Sequence, residues 1–304
     1  MHWTKLGRVY VPDRSRSWMT SQAHLPTPHA LDEDTVRIYA AFRDEEGVGR
    51  IGFVDVAASD PLHILRVSER PALDVGGIGA FDEHGVTPGC VVRHGKTLRL
   101  YYFGWQRAIK VPYLSFAGLA VSEDGGATFE RATRAPVLSR LDGERICRSA
   151  PFVGHHGGLW RAWYVAADTW TELEGRLVPA CEIRCVSSQD GVRWKGGGET
   201  AVAPTSEEAG VGRPFVQASG DGYRMWYSIC SRSRRHRIGY ATSEDGASWT
   251  RRDEEVGIDV SSSGWDSEVV CFGAVLATRA ATYLFYNGSR YGETGFGAAL
   301  LDEG

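Results

Sequence analysis

Short apolar runs alternate with polar turn residues along this chain, and one turn phrase recurs. Ser-x-Asp-Gly stands at residues 122–125, 188–191 and 243–246, and each copy follows a strand-like apolar run. Asp-Gly between two apolar runs is a strong hairpin signal, because glycine accepts a positive φ and the aspartate side chain bonds back onto the turn. The pattern therefore predicts three hairpins at wide and regular spacing.

The turn is one part of a longer repeat. In its clearest copy an apolar stretch begins at Pro214, a second centres on Met225-Trp226-Tyr227, and a third ends at the turn. Comparable copies begin near residues 28, 88, 151 and 272, about sixty residues apart. Repeated strands at that period, without a helical segment, predict an all-β fold: a five-bladed β-propeller of four-stranded antiparallel blades. The predicted blades cover residues 20–70, 80–138, 145–203, 208–258 and 264–301.

The two ends of the chain predict how the array closes. The fifth repeat stops near residue 301 without a fourth strand, and residues 2–6, which include Trp3, resemble residues 248–252 around Trp249. We therefore expect residues 2–10 to supply the missing outer strand of the last blade, which also covers an open sheet edge. An unrelated N-terminal extension is the alternative. Residues 1–304 are expected to form a single domain.

Composition and charge argue against some classes of partner. The 304 residues carry a net charge of -4, which argues against general nucleic-acid binding, and no apolar run approaches the length of a membrane span. The 37 glycines and 33 aromatic residues (11 Phe, 10 Trp and 12 Tyr) fit many short strands and tight turns. The N-terminus lacks the apolar core of a signal peptide, so a cytoplasmic location is expected. The oligomeric state is left open.

No disulfide, metal or cofactor is predicted. The glycine-rich patches lack the strand–turn–helix setting of a phosphate loop, and no dense set of metal ligands occurs. A mixed site of His24, His84, Asp82 and Glu268 is the weaker alternative. Two of the cysteines stand four residues apart on one expected strand, about 13 Å, which is beyond disulfide reach. We expect buried free thiols at Cys90, Cys147, Cys181, Cys185, Cys230 and Cys271.

Longer phrases within the repeats resemble a known group of enzymes. Arg161-Ala162-Trp163-Tyr164 and residues 237–246 carry the resemblance. It is to the five-bladed propellers of the glycoside hydrolase clan that includes families 32, 43, 62 and 68, and to the related mannoside phosphorylases. In architecture it covers nearly the whole chain. The resemblance implies a carbohydrate substrate and catalytic carboxylates at the axis of the propeller.

Carboxylates just before the innermost strand of each blade are expected to converge on that axis. Glycosyl transfer needs one protonated carboxylic acid and one ionised carboxylate, and crowding raises the pKa of one of them. The predicted catalytic residues are Asp82, Glu208, Asp266 and Glu268. Each of them is also explained as a solvated loop residue or as the partner of a basic side chain.

Basic and aromatic residues at comparable positions predict what the site binds. Arginine presents a planar fork that suits carboxylate or phosphate oxygens, and aromatic rings stack on sugars. The predicted substrate-binding residues are His24, Arg43, Glu83, His84, Trp105, Arg148, Arg213, Arg290 and Tyr291. They favour a sugar phosphate, a uronic or sialic-type acid, or inorganic phosphate as acceptor. Arginines that merely neutralise buried carboxylates are the open alternative.

The sequence departs from the resembling hydrolases at their catalytic positions. Those enzymes place a base in blade one, a supporting Asp in blade two and an acid in blade three. Here His24 and Arg148 occupy the first and third places, and only Asp82 matches. The leading prediction is a glycoside hydrolase-like enzyme that cleaves or transfers a glycosidic bond of an anionic carbohydrate. The alternatives are a non-catalytic carbohydrate-binding propeller and a non-glycosidic enzyme on a small anionic metabolite, with His24 or His84 as proton shuttle.

Overall fold

The protein is an all-β chain. Its computed structural model describes residues 1–220, 222–233 and 235–302, and in these ranges it contains 22 strands, no α-helix and two 3-10 turns, Asp253–Glu255 and Ser289–Gly292. The strands are β1 (Trp3–Tyr10), β2 (Ser21–Ala30), β3 (Thr35–Arg43), β4 (Gly49–Ala57), β5 (Asp60–Val67), β6 (Gly85–His94), β7 (Thr97–Arg107), β8 (Tyr113–Ser122), β9 (Glu130–Arg131), β10 (Cys147–His156), β11 (Leu159–Ala167), β12 (Trp170–Leu173), β13 (Arg176–Pro179), β14 (Glu182–Ser188), β15 (Glu199–Val202), β16 (Glu208–Ser219), β17 (Gly222–Ser231), β18 (His236–Ser243), β19 (Thr250–Arg251), β20 (Cys271–Ala277), β21 (Thr282–Asn287) and β22 (Phe296–Leu301).

Antiparallel pairing divides these strands into four-stranded groups that follow the order of the chain. The first group is β2-β3-β4-β5 and the second is β6-β7-β8-β9. The third is β10-β11-β14-β15, with the hairpin β12-β13 inserted in it, and the fourth is β16-β17-β18-β19. The fifth is β20-β21-β22-β1. The first strand of each group is called its inner strand below.

The N-terminal strand completes the fifth group. β1 pairs antiparallel with β22, with Trp3 opposite Leu301. The Trp3 ring is 4% exposed, and its Nε1 donates to the carbonyl oxygen of Val256 at 2.9 Å. The pairing that the Trp3 phrase predicts is therefore present, and the free edge of β22 is covered.

Each Ser-x-Asp-Gly phrase forms a turn that its own side chains hold. In the third copy, the Asp245 carboxylate accepts from the amides of Ala247 and Ser248 at 2.8 Å each. The Ser243 hydroxyl accepts from the amide of Gly246 at 2.8 Å, and Gly246 has a φ of +72°. The aspartates of this phrase therefore act within turns rather than at a site.

The same turns also join neighbouring groups. In three places an aromatic residue on the second strand of one group donates to the turn carbonyl of the next group, and we call these the inter-group turn bonds. They run from Tyr39 Oη to Gly126 O at 2.8 Å, from Tyr101 Oη to Gly191 O at 2.9 Å and from Trp163 Nε1 to Gly246 O at 2.8 Å. Trp226 holds the equivalent place in the fourth group, but the fifth repeat has no such turn, and Trp226 Nε1 is buried without a partner among the described residues.

Apolar packing also lies between neighbouring groups. Five buried clusters each combine side chains of two groups. Four of them join consecutive groups along the chain, and the other joins the fifth group to the first. Representative pairs are Tyr39 and Leu100, Tyr101 and Trp160, Trp163 and Met225, Trp226 and Leu284, and Phe285 and Ile38. Each group therefore buries its faces against both of its neighbours.

Candidate functional site

A cavity of about 630 Å³ lies where the inner strands of all five groups begin. One equivalent position on each inner strand lines it, at or beside a bulge that interrupts the pairing with the second strand. Bulges re-aim side chains, so the same irregularity in each strand brings residues far apart in sequence to one space. The five positions are Leu25, Thr87, Ala150, Arg213 and Phe272.

Backbone strain marks four of these five positions. Leu25, Ala150, Arg213 and Phe272 have φ angles of 55°, 46°, 53° and 58°, in the left-handed region that favours glycine. Each such residue costs about 1–3 kcal/mol and persists only where the surrounding structure holds it. Strain of this kind concentrates at ligand sites, which makes the cavity the candidate functional site.

Arg213 is the only charged residue among the five positions, and the space is called the Arg213 cavity below. Its guanidinium is buried, and its Nη2 donates to Pro26 O at 3.0 Å and to Thr27 Oγ1 at 3.1 Å. Its Nε has no partner, and within the described residues no carboxylate forms an ion pair with it. Burial lowers the pKa of Arg213 to about 10, so the group remains cationic at neutral pH. A buried cation without a countercharge, in the wall of a cavity, is the feature expected of an anion site.

Arg43 adds a second cation to the cavity wall. Its guanidinium lies over the Trp105 ring, 5.5 Å from the ring centre, and both residues line the cavity. Burial and the nearby Arg107 guanidinium lower the pKa of Arg43. Arg107 also lines the cavity at an exposed position. Arg43 of the first group, Arg107 of the second and Arg213 of the fourth therefore line the same cavity.

His24 is a neutral acceptor in this cationic surrounding. Its ring packs edge to face on Phe272, with 4.8 Å between the ring centres. Burial, together with the charges of Arg43, Arg213 and His236, lowers the pKa of His24 to about 3. A neutral imidazole can accept a hydrogen bond from a sugar hydroxyl or take up a proton during a reaction.

We expect acid to destabilise the protein in part through His24. The unfolded chain takes up a proton on this ring near pH 6.5, whereas the folded protein resists protonation down to a pKa of about 3. The free energy of unfolding should therefore fall as the pH drops from 6.5 toward 3, by at most about 1.4 kcal/mol per pH unit. Urea unfolding at pH 7, 6 and 5 should show a steeper decline for the wild type than for His24→Gln. Equal slopes for the two proteins would contradict the assignment.

The structure places the two predicted catalytic aspartates, Asp82 and Asp266, away from the cavity. The Asp82 carboxylate is buried and accepts from Tyr102 Oη at 2.9 Å and from Arg131 Nε at 2.8 Å. Asp266 is likewise buried and accepts from Tyr286 Oη at 2.9 Å. Neither residue lines the Arg213 cavity. Both acids stand in loops near the inner strands, but a tyrosine and a cation contact Oδ2 of each carboxylate. Asp82 Oδ1 is buried without a partner among the described residues.

The two glutamates also lie outside the cavity lining. Burial acts to raise the pKa of Glu208, but its hydrogen bonds outweigh burial and lower the pKa. The main ones come from both Nη atoms of Arg251, at 2.6 and 2.9 Å. Glu268 is exposed, and its backbone amide donates to Ser289 Oγ at 3.3 Å. Among the described residues, the cavity lining contains no Asp or Glu.

A recurring contact explains where the acids go. In four groups a tyrosine on the second strand donates to a buried or half-buried carboxylate, and a cation pairs with the same carboxylate. The four sets are Tyr102 with Asp82 and Arg131, Tyr164 with Glu144 and Arg184, Tyr227 with Asp253 and Arg251, and Tyr286 with Asp266 and Lys5. These are structural ion pairs that tie loops to the second strand, and we call them the tyrosine–carboxylate sets.

The predicted substrate-binding residues divide into two sets. Those that line the Arg213 cavity are His24, Arg43, Trp105, Arg213 and Tyr291. Those outside its lining are Glu83, His84, Arg148 and Arg290. Other residues of the lining were not among the predicted site residues. They include Arg107, Tyr113, Cys147, Ser149, Cys181, Cys230, His236 and Phe272.

Local contacts account for the four residues outside the lining. Glu83 accepts from the Gly79 amide at 2.6 Å and from Gln106, and His84 lies 3.6 Å from the Glu83 carboxylate. Arg148 is buried against Glu144. The Arg290 side chain is 70% exposed and lies 3.5 Å from Glu293.

The described ranges contain neither a metal-ligand cluster nor a membrane-spanning helix. No group of three or more His, Cys, Asp or Glu side chains there is arranged to hold a metal ion, so the mixed site of His24, His84, Asp82 and Glu268 is not assembled. In the same part of the chain, no helix has the length and apolar character needed to cross a bilayer.

Comparison with other proteins identifies close relatives. Uncharacterized protein Rv1502 of Mycobacterium tuberculosis strain H37Rv is 37% identical over 303 residues, which cover 99% of this chain and 100% of the relative. Uncharacterized protein MT1551 of strain CDC 1551 matches to the same extent. No family model matches the chain.

Solved structures share the fold at low identity. A structure described as a glycoside hydrolase has a TM-score of 0.76 at 18% identity and covers 99% of this chain and 92% of its own. A thermostable family-43 glycoside hydrolase has 0.68 at 16%, with 96% and 91% covered. A structure from work on the GH130 family of mannoside phosphorylases has 0.72 at 14%, with 99% and 93% covered. At these identities the likeness shows the fold alone.

Proposed function

The chain belongs to the family of Uncharacterized protein Rv1502 of Mycobacterium tuberculosis, and we propose that it binds a small anionic carbohydrate in the Arg213 cavity. The observation that carries the proposal is the Arg213 guanidinium, a buried cation in the cavity lining that has no carboxylate partner in the described ranges. A sugar phosphate or a uronic-type acid supplies the missing charge.

We also propose that the five groups are the blades of a five-bladed propeller with this cavity at its axis. The packing of each group on the next, and of the fifth on the first, supports this.

The walls of the cavity suit a sugar ring beside the anion. Trp105, Phe103, Tyr113 and Phe272 supply aromatic surface, and Ser149 supplies a hydroxyl. Ligand pockets are typically about 300–1,000 Å³, apolar for the most part and with a few placed polar groups. A cavity of about 630 Å³ therefore accommodates a monosaccharide or disaccharide. The fold likeness to glycoside hydrolases supports carbohydrate as the class of ligand.

The positions and ion pairs of the predicted catalytic carboxylates favour binding over glycosidic catalysis. Glycosyl transfer requires a carboxylic acid and a carboxylate on either side of the scissile bond. Asp82, Glu208 and Asp266 are each paired with a cation instead, and Glu268 is exposed outside the lining. This arrangement supports the binding alternative, or a non-glycosidic reaction in which His24 handles the proton.

Cleavage or transfer of a glycosidic bond is the second candidate. The fold likeness to glycoside hydrolases and to the GH130 structure favours it. In that case Asp82, Glu208, Asp266 or Glu268 would have to leave its present contacts and reach the cavity when substrate is bound. Release of free sugar by the wild type, lost in Glu268→Gln or Asp82→Asn, would favour this candidate.

Calorimetric titration with matched sugars tests the proposed function. Glucuronate and glucose 6-phosphate each add an anion to a glucose ring, and glucose itself is the neutral control. We expect at least one of the two anionic sugars to bind at least tenfold more tightly than glucose, and inorganic phosphate to compete with it. Equal binding of glucose, or no binding of any of the three sugars, would reject the proposal.

A further inference from the structure

Three cysteines line the Arg213 cavity, and the proposed binding of a sugar uses none of them. They are Cys147 at the start of β10, Cys181 just before β14 and Cys230 near the end of β17. None of the three is part of a disulfide in the structure, and neither are Cys90, Cys185 and Cys271, all of which lie in the described ranges. Cys181 and Cys230 are half-buried, whereas Cys147 is 3% exposed in the cavity wall.

Hydroxyl groups surround the sulfur of Cys147. Its Sγ lies 2.8 Å from Ser149 Oγ, and Ser115 Oγ donates to it at 3.3 Å. When protonated, the thiol donates to the carbonyl oxygen of Val165 at 3.6 Å. Two hydroxyls close to one sulfur can donate to a thiolate together, which favours the reactive form.

Cys181 lies beside Cys147 in the cavity wall. Cys181 packs against the apolar cluster that contains Cys147, and both residues line the Arg213 cavity. Hydrogen bonding from the Cys181 thiol is the largest of the effects that lower the pKa of Cys147; burial opposes it, and the two serines add to it. Of the two thiols, Cys147 is the one whose sulfur contacts both serine hydroxyls, so we expect it to be the one that ionises.

The charge of the cavity favours the same outcome. Arg43, Arg107 and Arg213 line it, and no Asp or Glu does so in the described ranges. A cationic space stabilises a thiolate and concentrates anionic reagents. Reactive cysteines are found in electropositive surroundings of this kind, whereas structural cysteines lie in apolar ones.

We propose that Cys147 is a modification site that forms a mixed disulfide with small anionic disulfides entering the Arg213 cavity. The Cys147 thiolate attacks one sulfur of the reagent, a new S–S bond forms, and the S–S bond of the reagent breaks. The leaving thiolate takes the bonding electron pair, and the proton that Cys147 lost passes to solvent. The reagent is itself the oxidant, so the exchange balances without another. Cys181, which packs beside Cys147 in the cavity wall, is assigned as a positioning residue that acts through Cys147.

The charge preference can be measured with two disulfides of opposite sign. Dithiobis(nitrobenzoate) is aromatic and carries carboxylates, and cystamine carries ammonium groups. Each rate is divided by the rate of the same reagent with free N-acetylcysteine, which removes intrinsic reactivity. We expect the normalised rate for dithiobis(nitrobenzoate) to be at least tenfold higher, with Cys147 the first site labelled in peptide mapping of the native protein. Equal normalised rates, or first labelling of another cysteine, would overturn the proposal.

Variants separate a reactive site from a merely exposed thiol. Cys147→Ser should lose the fast phase, whereas Cys185→Ser, which is half-buried and outside the cavity lining, should retain it. Cys181→Ala should slow labelling several-fold and move its pH profile upward, and Cys181→Ser, which keeps a donor, should restore both. If Cys147→Ser does not fold, peptide mapping of the wild type still decides. Labelling unaffected by Cys181→Ala would contradict the positioning role.

Discussion

Glu144→Gln should lower the free energy of unfolding by about 3–5 kcal/mol, because the change leaves a buried cation without its countercharge. The Glu144 side chain is fully buried and contacts the buried Arg148 guanidinium. It also accepts from Arg184 Nη1 at 2.9 Å and from Tyr164 Oη at 2.8 Å. Glutamine keeps the shape of the side chain, but it removes the charge and replaces one acceptor oxygen with an NH2 donor. Urea unfolding at pH 7 measures the effect.

A surface pair provides the matched control for that experiment. Glu33 and Arg279 approach to 2.8 Å, but their side chains are 76% and 80% exposed. Exposed pairs contribute little, so Glu33→Gln should change the free energy of unfolding by less than about 0.5 kcal/mol. Adding Arg148→Met to Glu144→Gln should recover part of the loss, since it removes the orphaned charge. A loss below about 1 kcal/mol in Glu144→Gln would show that Arg148 does not depend on this carboxylate.

Arg213→Met should weaken binding of anionic sugars by about 10- to 100-fold, the effect of losing one or two charge-assisted hydrogen bonds in a buried site. The variant also loses the two bonds from Arg213 to Pro26 and Thr27. Removing an unpaired buried charge offsets that loss, so the melting temperature without ligand should stay close to that of the wild type. Titration with glucuronate and glucose 6-phosphate, combined with thermal unfolding, separates affinity from stability.

Two further variants sharpen the test of Arg213. Arg213→Lys keeps the charge but loses the planar fork, and we expect an intermediate affinity. Arg279→Met removes an exposed arginine that does not line the cavity and should leave affinity unchanged. Full affinity in a folded Arg213→Met protein would mean that the anion, if bound, is held elsewhere.

Local chemistry made much of the fold predictable. The Ser-x-Asp-Gly turns are held by side chains within the phrase, such as Ser243 and Asp245, so a short stretch of sequence contains the whole cause. The pairing of β1 with β22 was predictable for a related reason, since the Trp3 phrase copies the outer strand that follows the fourth turn. The bonds from the turns to the preceding group were not predicted, because their donors lie 83 to 90 residues away.

The candidate site was predictable only in part. Arg213 and His24 were identified because both stand just before or within an inner strand, where the chain approaches the cavity. Asp82 and Asp266 stand in similar loops, yet their side chains turn toward Tyr102 and Tyr286. Whether a loop residue faces the cavity or the second strand depends on tertiary packing. The tyrosine that recurs on the second strand of four groups was the signal available in the sequence.

The environment of the Cys147 sulfur also could not be predicted from the sequence. A cysteine inside a strand-like segment is most often a small buried apolar residue, and burial is what the structure shows for it. Its neighbours Ser115 and Cys181 come from other strands and loops, 32 and 34 positions away in the chain, so no local pattern announces them. Only the three-dimensional arrangement distinguishes Cys147 from a core residue such as Cys90.

The inter-group turn bonds give the five repeats a direction, because each donor precedes its acceptor turn along the chain. A duplicated repeat would bring a new turn and a new donor, and both would need partners in the adjoining copies. Trp226 shows the result when the following repeat lacks the turn: a buried indole N–H without an acceptor in the described part of the chain. The unit that has to be kept intact is therefore the contact between two repeats rather than a single repeat. A chain that gains or loses one repeat needs a matching donor and turn on each side of the change.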